Sequence, residues 1–207
     1  MNSDLRIFKL RVQALYNSWT QVALAAFVLG SLFAFTLDTY DVWVWFGGYF
    51  FGSCYFLVLT SLFAKKIKTT RDPKELKMFL EHWQTQSIFF ASMWAALAIL
   101  TANYGQTEKL LIGFAFAGVT AGNSISSATF PNIARIYSAI VLFTFMATNF
   151  YYQTEGYLPL NIMVGLYWIL VSGVQQKLYD FFQNNFKMIV DLEKTQKKLK
   201  NSESKVA

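Results

Sequence analysis

Val42–Ala64 reads VWVWFGGYFFGSCYFLVLTSLFA, a run of 23 residues without one Asp, Glu, Lys or Arg. As a helix it is long enough to cross a hydrocarbon core of about 30 Å. A lipid environment allows only helices and closed barrels, and the run lacks the alternation that barrel strands carry. The rest of the chain agrees with it. Of 207 residues, 55% are hydrophobic, 18% aromatic and only 14% charged, against roughly 25% charged in an average soluble protein. A water-soluble fold of this size would leave much of its 21 Phe, 11 Tyr and 6 Trp in exposed patches. The same composition excludes a disordered chain, a collagen-like chain and, with one cysteine, a disulfide scaffold. The expected fold class is therefore all-α integral membrane.

Working outward from that run, five more apolar stretches appear: Val22–Leu37, Ser87–Ala102, Leu110–Phe130, Ile136–Phe150 and Leu158–Val174. They predict six transmembrane helices. Several are short, but flanking Trp, Tyr and Lys extend them to bilayer thickness by anchoring at the interface. Most connections are short, with Lys65–Gln86 the exception. Within it Asp72-Pro73-Lys74-Glu75 reads as a helix start, Asp72 as N-cap and Pro73 at the first helical position. That helix should run straight into the third span, with Leu76, Phe79, Leu80 and Trp83 facing lipid or protein.

The charges set the orientation. Arg6, Lys9 and Arg11 precede the first span, and Lys65, Lys66, Lys68, Arg71, Lys74 and Lys77 follow the second. Arg135 lies between the fourth and fifth, and Lys177, Lys187, Lys194, Lys197, Lys198, Lys200 and Lys205 follow the sixth. Six spans place these 17 of the 18 basic residues on one side, leaving Lys109 on the other with Asp38, Asp41, Glu108 and Glu155. By the positive-inside rule both termini are cytoplasmic. The net charge of +6 then reflects topology, and no nucleic-acid partner is needed to explain it.

Three regions follow. Residues 1–20 read as an N-terminal amphipathic helix at the inner leaflet, with Leu5, Phe8, Val12, Leu15 and Trp19 spaced by three and four. Nothing there resembles a cleaved signal peptide. Residues 21–174 form the six-helix domain. Residues 175–207 are polar, Lys-rich and free of Gly and Pro, so the sixth helix can continue into the cytoplasm. Along this tail Phe182, Ile189, Gln196 and Glu203 fall at one seam position, and Leu178, Asn185, Leu192, Leu199 and Val206 at the other. Gaps of four and three over about four heptads predict a coiled coil, and its polar seam residues predict a marginal one. A seam needs a partner, so a parallel homodimer is expected. The pattern is still running at Ser204-Lys205-Val206-Ala207, which suggests that more protein follows.

Leu192–Lys200 together with Asn201–Ala207 resembles the linker that enters the phosphoacceptor helix of bacterial sensor histidine kinases. The membrane part resembles the six-helix sensor regions that precede kinase or diguanylate cyclase domains. The matching features are Leu15-Tyr16-Asn17, Trp83, Trp94, the run Phe116-Ala117-Gly118-Val119-Thr120-Ala121-Gly122, and Pro131. This resemblance implies a sensor module in the bacterial inner membrane. It would pass a signal through the sixth helix to a kinase or cyclase domain of the same polypeptide. The stimulus could be a small amphiphilic ligand, lipid state or membrane tension.

Inside the spans, Thr120, Asn123, Ser124 and Ser127 recur at i, i+3, i+4 and i+7 and form one polar stripe. They predict either interhelical hydrogen bonds or, with Trp94, the lining of a small-ligand site. Gly118 and Gly122 make a GxxxG pair, and Gly113, Ala117 and Ala121 a second small-residue row, both suited to close helix packing. Trp94 and Trp168 need acceptors for their indole N–H groups, which Asn123 or Ser127 could supply. Tyr40, Trp43, Trp45, Tyr104, Phe150, Tyr151, Tyr152 and Tyr157 read as an outer interfacial belt.

No acidic residue or Arg lies deep in any span, which disfavours a proton-coupled pump. His82 is the only histidine and Cys54 the only cysteine, so no metal-ligand cluster forms and no cofactor is expected. Ser124 and His82 sit on different predicted helices at different depths, which disfavours an intramembrane hydrolase, and no residue is assigned as catalytic. The rival to a sensor is a small facilitator or transporter whose tail serves oligomerisation.

Overall fold

The computed structural model describes the backbone of residues 3–153 and 156–206, and their side chains except at 19–22, 200 and 202–206. Trp19 of the amphipathic row, Glu155, Lys200, Lys205, and Glu203 and Val206 of the seam therefore lie outside the described side chains. Six helices follow in order: α1 Ser3–Leu37, α2 Tyr40–Thr69, α3 Pro73–Leu100, α4 Gln106–Ser126, α5 Pro131–Tyr152 and α6 Tyr157–Val206. No strand occurs among the described residues.

The chain's own chemistry ends and starts these helices. α1 stops where Asp38 turns left-handed (φ 40°), and its carboxylate accepts the Trp43 indole N–H at 2.9 Å. That closes a two-residue turn into α2. Asp72 caps α3 as expected, accepting the Lys74 backbone N–H at 2.9 Å, with Pro73 in the first turn. α3 then runs unbroken past residue 87. Leu76, Phe79 and Trp83 are buried and Leu80 half-buried, so this row faces protein.

Two sequence-derived borders fall inside helices. α1 continues through residue 20, so the amphipathic segment and the first apolar run are one 35-residue rod. α6 continues through residue 174 as a single helix of 50 residues.

Of the six expected spans, four helices are long and apolar enough to cross a membrane: α1, α2, α5 and the Tyr157–Leu199 part of α6. α3 and α4 are not among them. Their reason is compositional: α3 begins with charged residues and buries Gln86 and Ser87, and α4 buries Thr120, Asn123, Ser124 and Ser126. These two helices hold the polar interior of the bundle. The other helices show apolar residues outward as well as inward. Leu24, Val28, Leu32 and Phe35 form an exposed stripe on α1, with Phe35 71% exposed. Ile162, Leu166, Ile169 and Leu170 do the same on α6. Helices apolar on both faces are compatible with a membrane protein.

α3 and α5 pack against each other, α2 and α1 flank α3, and α4 and α6 flank α5. The core is aromatic. Trp94 lies 5.4 Å from Trp45, 5.6 Å from Tyr49 and 6.0 Å from Phe116, and Phe116 continues to Phe145 on α5 at 5.3 Å. Trp45, expected in the outer belt, is instead core: it is buried and donates its indole N–H to the Met93 carbonyl at 2.5 Å. Tyr40 and Tyr151 are exposed.

The glycines that let helices approach are not the GxxxG pair. A Cβ at Gly118 or Gly122 would meet nothing within 4 Å, because this side of α4 turns away from the bundle. At Gly52 it would clash with the Phe89 ring, and at Gly113 it would come within 3.4 Å of Phe145. Gly52→Val is accordingly expected to destabilise the solubilised chain by about 1–3 kcal/mol through overpacking, with Phe89→Leu restoring part of the loss. Gly118→Ala should be neutral or stabilise by up to about 1 kcal/mol through helix propensity. Unfolding midpoints in mixed micelles decide it; equal losses at the two glycines would contradict this packing.

Candidate functional site

The polar stripe of α4 is built as its spacing predicts, and all four side chains are buried. Two of its hydroxyls first satisfy α4's own carbonyls: Thr120 donates to Phe116 O at 2.7 Å and Ser124 to Thr120 O at 2.6 Å. Their remaining capacity turns toward α6. The Gln175 amide donates to Ser124 Oγ at 2.8 Å. Tyr167 donates to the Ala117 carbonyl at 2.6 Å, and its hydroxyl lies 3.3 Å from that of Thr120. At the end of α4, Ser127 accepts the Trp83 indole N–H at 3.2 Å and lies 3.4 Å from Asn123 Oδ1.

The stripe is thus a joint of four helices, because the Gln175 amide also reaches Ser138 Oγ on α5 at 3.5 Å. α4 and α5 supply the hydroxyls, α6 an amide and a phenol, and α3 an indole. Two buried atoms in it lack a partner, Asn123 Nδ2 and Gln175 Oε1. An amide half satisfied in a dry site costs free energy, and a small change in how α6 sits against α4 would alter that satisfaction. Trp94, grouped with the stripe at the sequence level, is held one turn away in the aromatic core. The indole that uses Ser127 belongs to Trp83 and not to Trp94 or Trp168.

Gln175, Tyr167 and Trp83 are the members of the joint that spacing arguments on α4 alone could not find. In the sequence Gln175 is the first polar residue of the tail, yet it is fully buried. Its partners sit on other helices, and a single helix pattern says nothing of them.

A second junction lies nearer the start of α1. Arg11 places Nε at 3.0 Å and a terminal nitrogen at 2.6 Å from the Thr129 carbonyl. Its guanidinium covers the Phe130 ring at 4.3 Å and the Tyr179 ring at 5.3 Å, and Thr129 donates its hydroxyl back to Arg11 O at 3.2 Å. One side chain therefore ties α1, the turn between α4 and α5, and the first part of the α6 tail.

The seam residues of the tail are placed differently from one another. Phe182 is half-buried and stacks on Phe186 at 6.0 Å. Ile189, Leu192, Gln196 and Leu199 are exposed. The face of α6 that turns toward the chain is the neighbouring one, carrying Phe186 and Val190, both buried, and Glu193, which pairs with Arg6.

His82 and Ser124 do not form a dyad. The Ser124 hydroxyl is engaged by Thr120 and Gln175. The imidazole packs against Phe56 at 5.7 Å and edge-on to Phe63 at 4.8 Å. Cys54 is exposed on α2. No model of a known protein family matches this chain, and neither does any curated protein or any solved structure.

Proposed function

We propose that the chain is a membrane sensor module. Its six helices cross the bilayer with both ends on the cytoplasmic side, and α6 carries a rearrangement of the bundle outward along its tail. The carrying observation is that α6 is one uninterrupted helix from Tyr157 to Val206. It is gripped by α4 through Tyr167 and Gln175 inside the bundle and presents Ile189 and Leu192 unburied beyond it. A rigid rod anchored at a polar joint converts a small shift at one end into a displacement at the other.

Six crossings fit the dimensions. α4 has 21 residues, about 31 Å at 1.5 Å per residue, and matches the hydrocarbon core. α3 and α4 can cross despite modest hydropathy because their polar side chains turn inward: Gln86 accepts from Thr60 at 3.1 Å, and the α4 stripe faces α6 and α3. The stripe then serves as the switch joint, and a small amphiphile or a change in lipid packing would act by favouring one seating of α6. Ile189 and Leu192 pair with a second copy in parallel, and a kinase or cyclase domain of the same polypeptide reads the pairing.

Single cysteines along the tail, in a Cys54→Ser chain in native membranes, test this. Crosslinking should peak at 189, 192, 196 and 199 and be low at 186 and 190. A flat profile, or a peak at 186 and 190, sinks the dimer. Gln175→Leu adds the coupling test: it removes an unpaired buried carbonyl together with the amide bond to Ser124, two opposing effects of similar size, so stability should stay within about 1 kcal/mol. The crosslinking pattern of the tail should nonetheless shift. An unchanged pattern would mean that the joint does not control the tail.

A further inference from the structure

Five cations meet in one cavity at the tail end of the bundle. Arg6 and Lys9 come from α1, Lys68 and Arg71 from the end of α2 and the loop after it, and Lys197 from α6; together they line a space of about 670 Å³. Among the described residues no carboxylate belongs to that lining. Part of the frame is fixed from within. Lys9 caps the end of α2, donating to Lys68 O at 2.9 Å and Thr70 O at 2.7 Å. Arg6 is paired with Glu193. Lys66, just outside the cavity, is matched by Glu75 at 3.0 Å. Lys68, Arg71 and Lys197 bring their charge to the cavity from α2, the loop after it and α6, and like charges held together this way attract an anion.

We propose that this cavity binds a phosphate-bearing ligand, with its phosphate oxygens bridging Arg71 and Lys68 at the end of α2 to Lys197 on the tail. Arginine supplies a planar fork that matches phosphate, and lysines supply point charges. The volume is that of a ligand site for a molecule of headgroup size, larger than one phosphate ion needs. Lys9 feels the crowding: burial, and secondarily Arg71, hold its pKa below the ordinary lysine value.

Depth points to two sources of the same chemistry. Lys9 lies 28 residues back from the end of α1 at Leu37, about 42 Å along the helix. A bilayer with its headgroup layers is about 40–45 Å thick. The cavity thus falls at the inner headgroup level, where an anionic phospholipid could reach it, and it also opens to a soluble phosphate compound. A smaller space of about 150 Å³ shares Gln13 and Lys68 and is lined further by Tyr16, Asn17, Ala64 and Ile67, a mixed polar and apolar continuation suited to the glycerol end of a lipid. Occupancy would fasten Lys197 to the end of α2 and so fix the tail; that consequence rests on the sensor reading, whereas the binding does not.

Amine acetylation of the full chain, read lysine by lysine by mass spectrometry, tests it. One arm compares phosphatidylcholine nanodiscs with discs doped with phosphatidylglycerol. The other adds inorganic pyrophosphate to the neutral discs. Labelling of Lys68 and Lys197 should fall about tenfold in at least one arm, equivalent to about 1.4 kcal/mol, while Lys65 and Lys187 stay within about twofold. Protection in doped discs alone identifies a lipid, and protection by pyrophosphate a soluble phosphate. Arg71→Gln should abolish protection of Lys197, and Lys197→Ala that of Lys68. Lys65→Gln combined with Lys187→Gln, removing more charge, should leave both protected. Uniform protection of all lysines, or none in either arm, overturns the site. Impermeant cysteine labelling at 103 and 66 reads the topology separately. If both positions lie on one side, the spanning reading fails while the acetylation result still stands.

Discussion

Trp83→Ala is expected to lower the stability of the detergent-solubilised chain by about 3–5 kcal/mol, the range for truncating a buried tryptophan. Trp83 is 1% exposed. Its ring lies 5.3 Å from that of Tyr16 on α1, and its indole reaches Ser127 beyond the end of α4. Tyr16 in turn donates to the Phe79 carbonyl on α3 at 2.9 Å. Removing the indole opens a cavity where α1, α3 and the α4 end meet. Trp83→Phe keeps most of the volume and loses the N–H, so it should cost about 1 kcal/mol beyond repacking. Ser127→Ala should cost a similar amount, and the double variant less than the two together, because both remove one bond. Unfolding midpoints in mixed micelles measure all three. If Trp83→Ala is no worse than Trp83→Phe, this junction does not hold the bundle.

What the sequence could say about this fold depended on which partner a residue has. Apolar runs located six helices, and Asp72-Pro73 located a helix start, because both signals are local to the chain. The inner face of each helix was far less legible. In water a polar stripe marks the outside and an apolar stripe the core. In a chain whose outer surface is also apolar that contrast disappears, and only the polar stripe of α4 marked an inward side. Gly118 and Gly122 looked like a packing pair for the same reason: spacing reveals a flat strip on the helix and not whether a neighbour lies on it. Gly52 showed nothing in sequence, since its meaning comes from Phe89, 37 residues further along.

The tail posed a related ambiguity. Phe182 and Ile189 define one apolar row, Phe186 and Val190 the next, and these rows are less than half a turn apart. A heptad reading selects the first for a partner chain. The fold gives the second to the chain itself, and the two assignments are compatible because they are different faces of one helix. Arg11 was legible only as a positive charge. Its partners are a backbone carbonyl and two aromatic faces, and a carbonyl carries no sequence signature.

Arg11→Ala is expected to release the α6 tail from the rest of the chain. The magnitudes say why this residue matters more than the visible ion pair. Arg6 and Glu193 are each about one-third exposed, and pairs of that kind contribute about 0–1 kcal/mol. Arg11 makes charge-assisted hydrogen bonds to a carbonyl whose residue, Thr129, is 3% exposed. Such bonds contribute about 1.5–3 kcal/mol, and the contacts over Phe130 and Tyr179 add about 0.5–1 kcal/mol each. The alanine variant loses these and leaves the Thr129 carbonyl without that donor. Arg11→Lys keeps the charge but loses the planar fork and much of the stacking, so it should fall between. Limited trypsinolysis of the solubilised chain reads the release directly, because cleavage needs the helix to open locally. Of the Arg11 partners only Tyr179 lies on α6, so cutting after Lys187 and Lys194 should accelerate up to about fivefold in Arg11→Ala, less in Arg11→Lys, and within about twofold in Arg6→Ala. The bundle from α1 to the Gln175 joint should stay intact in all three. Equal rates for the two alanine variants would mean that the tail is held by Phe186 and Val190 alone, and that Arg11 serves only the turn between α4 and α5.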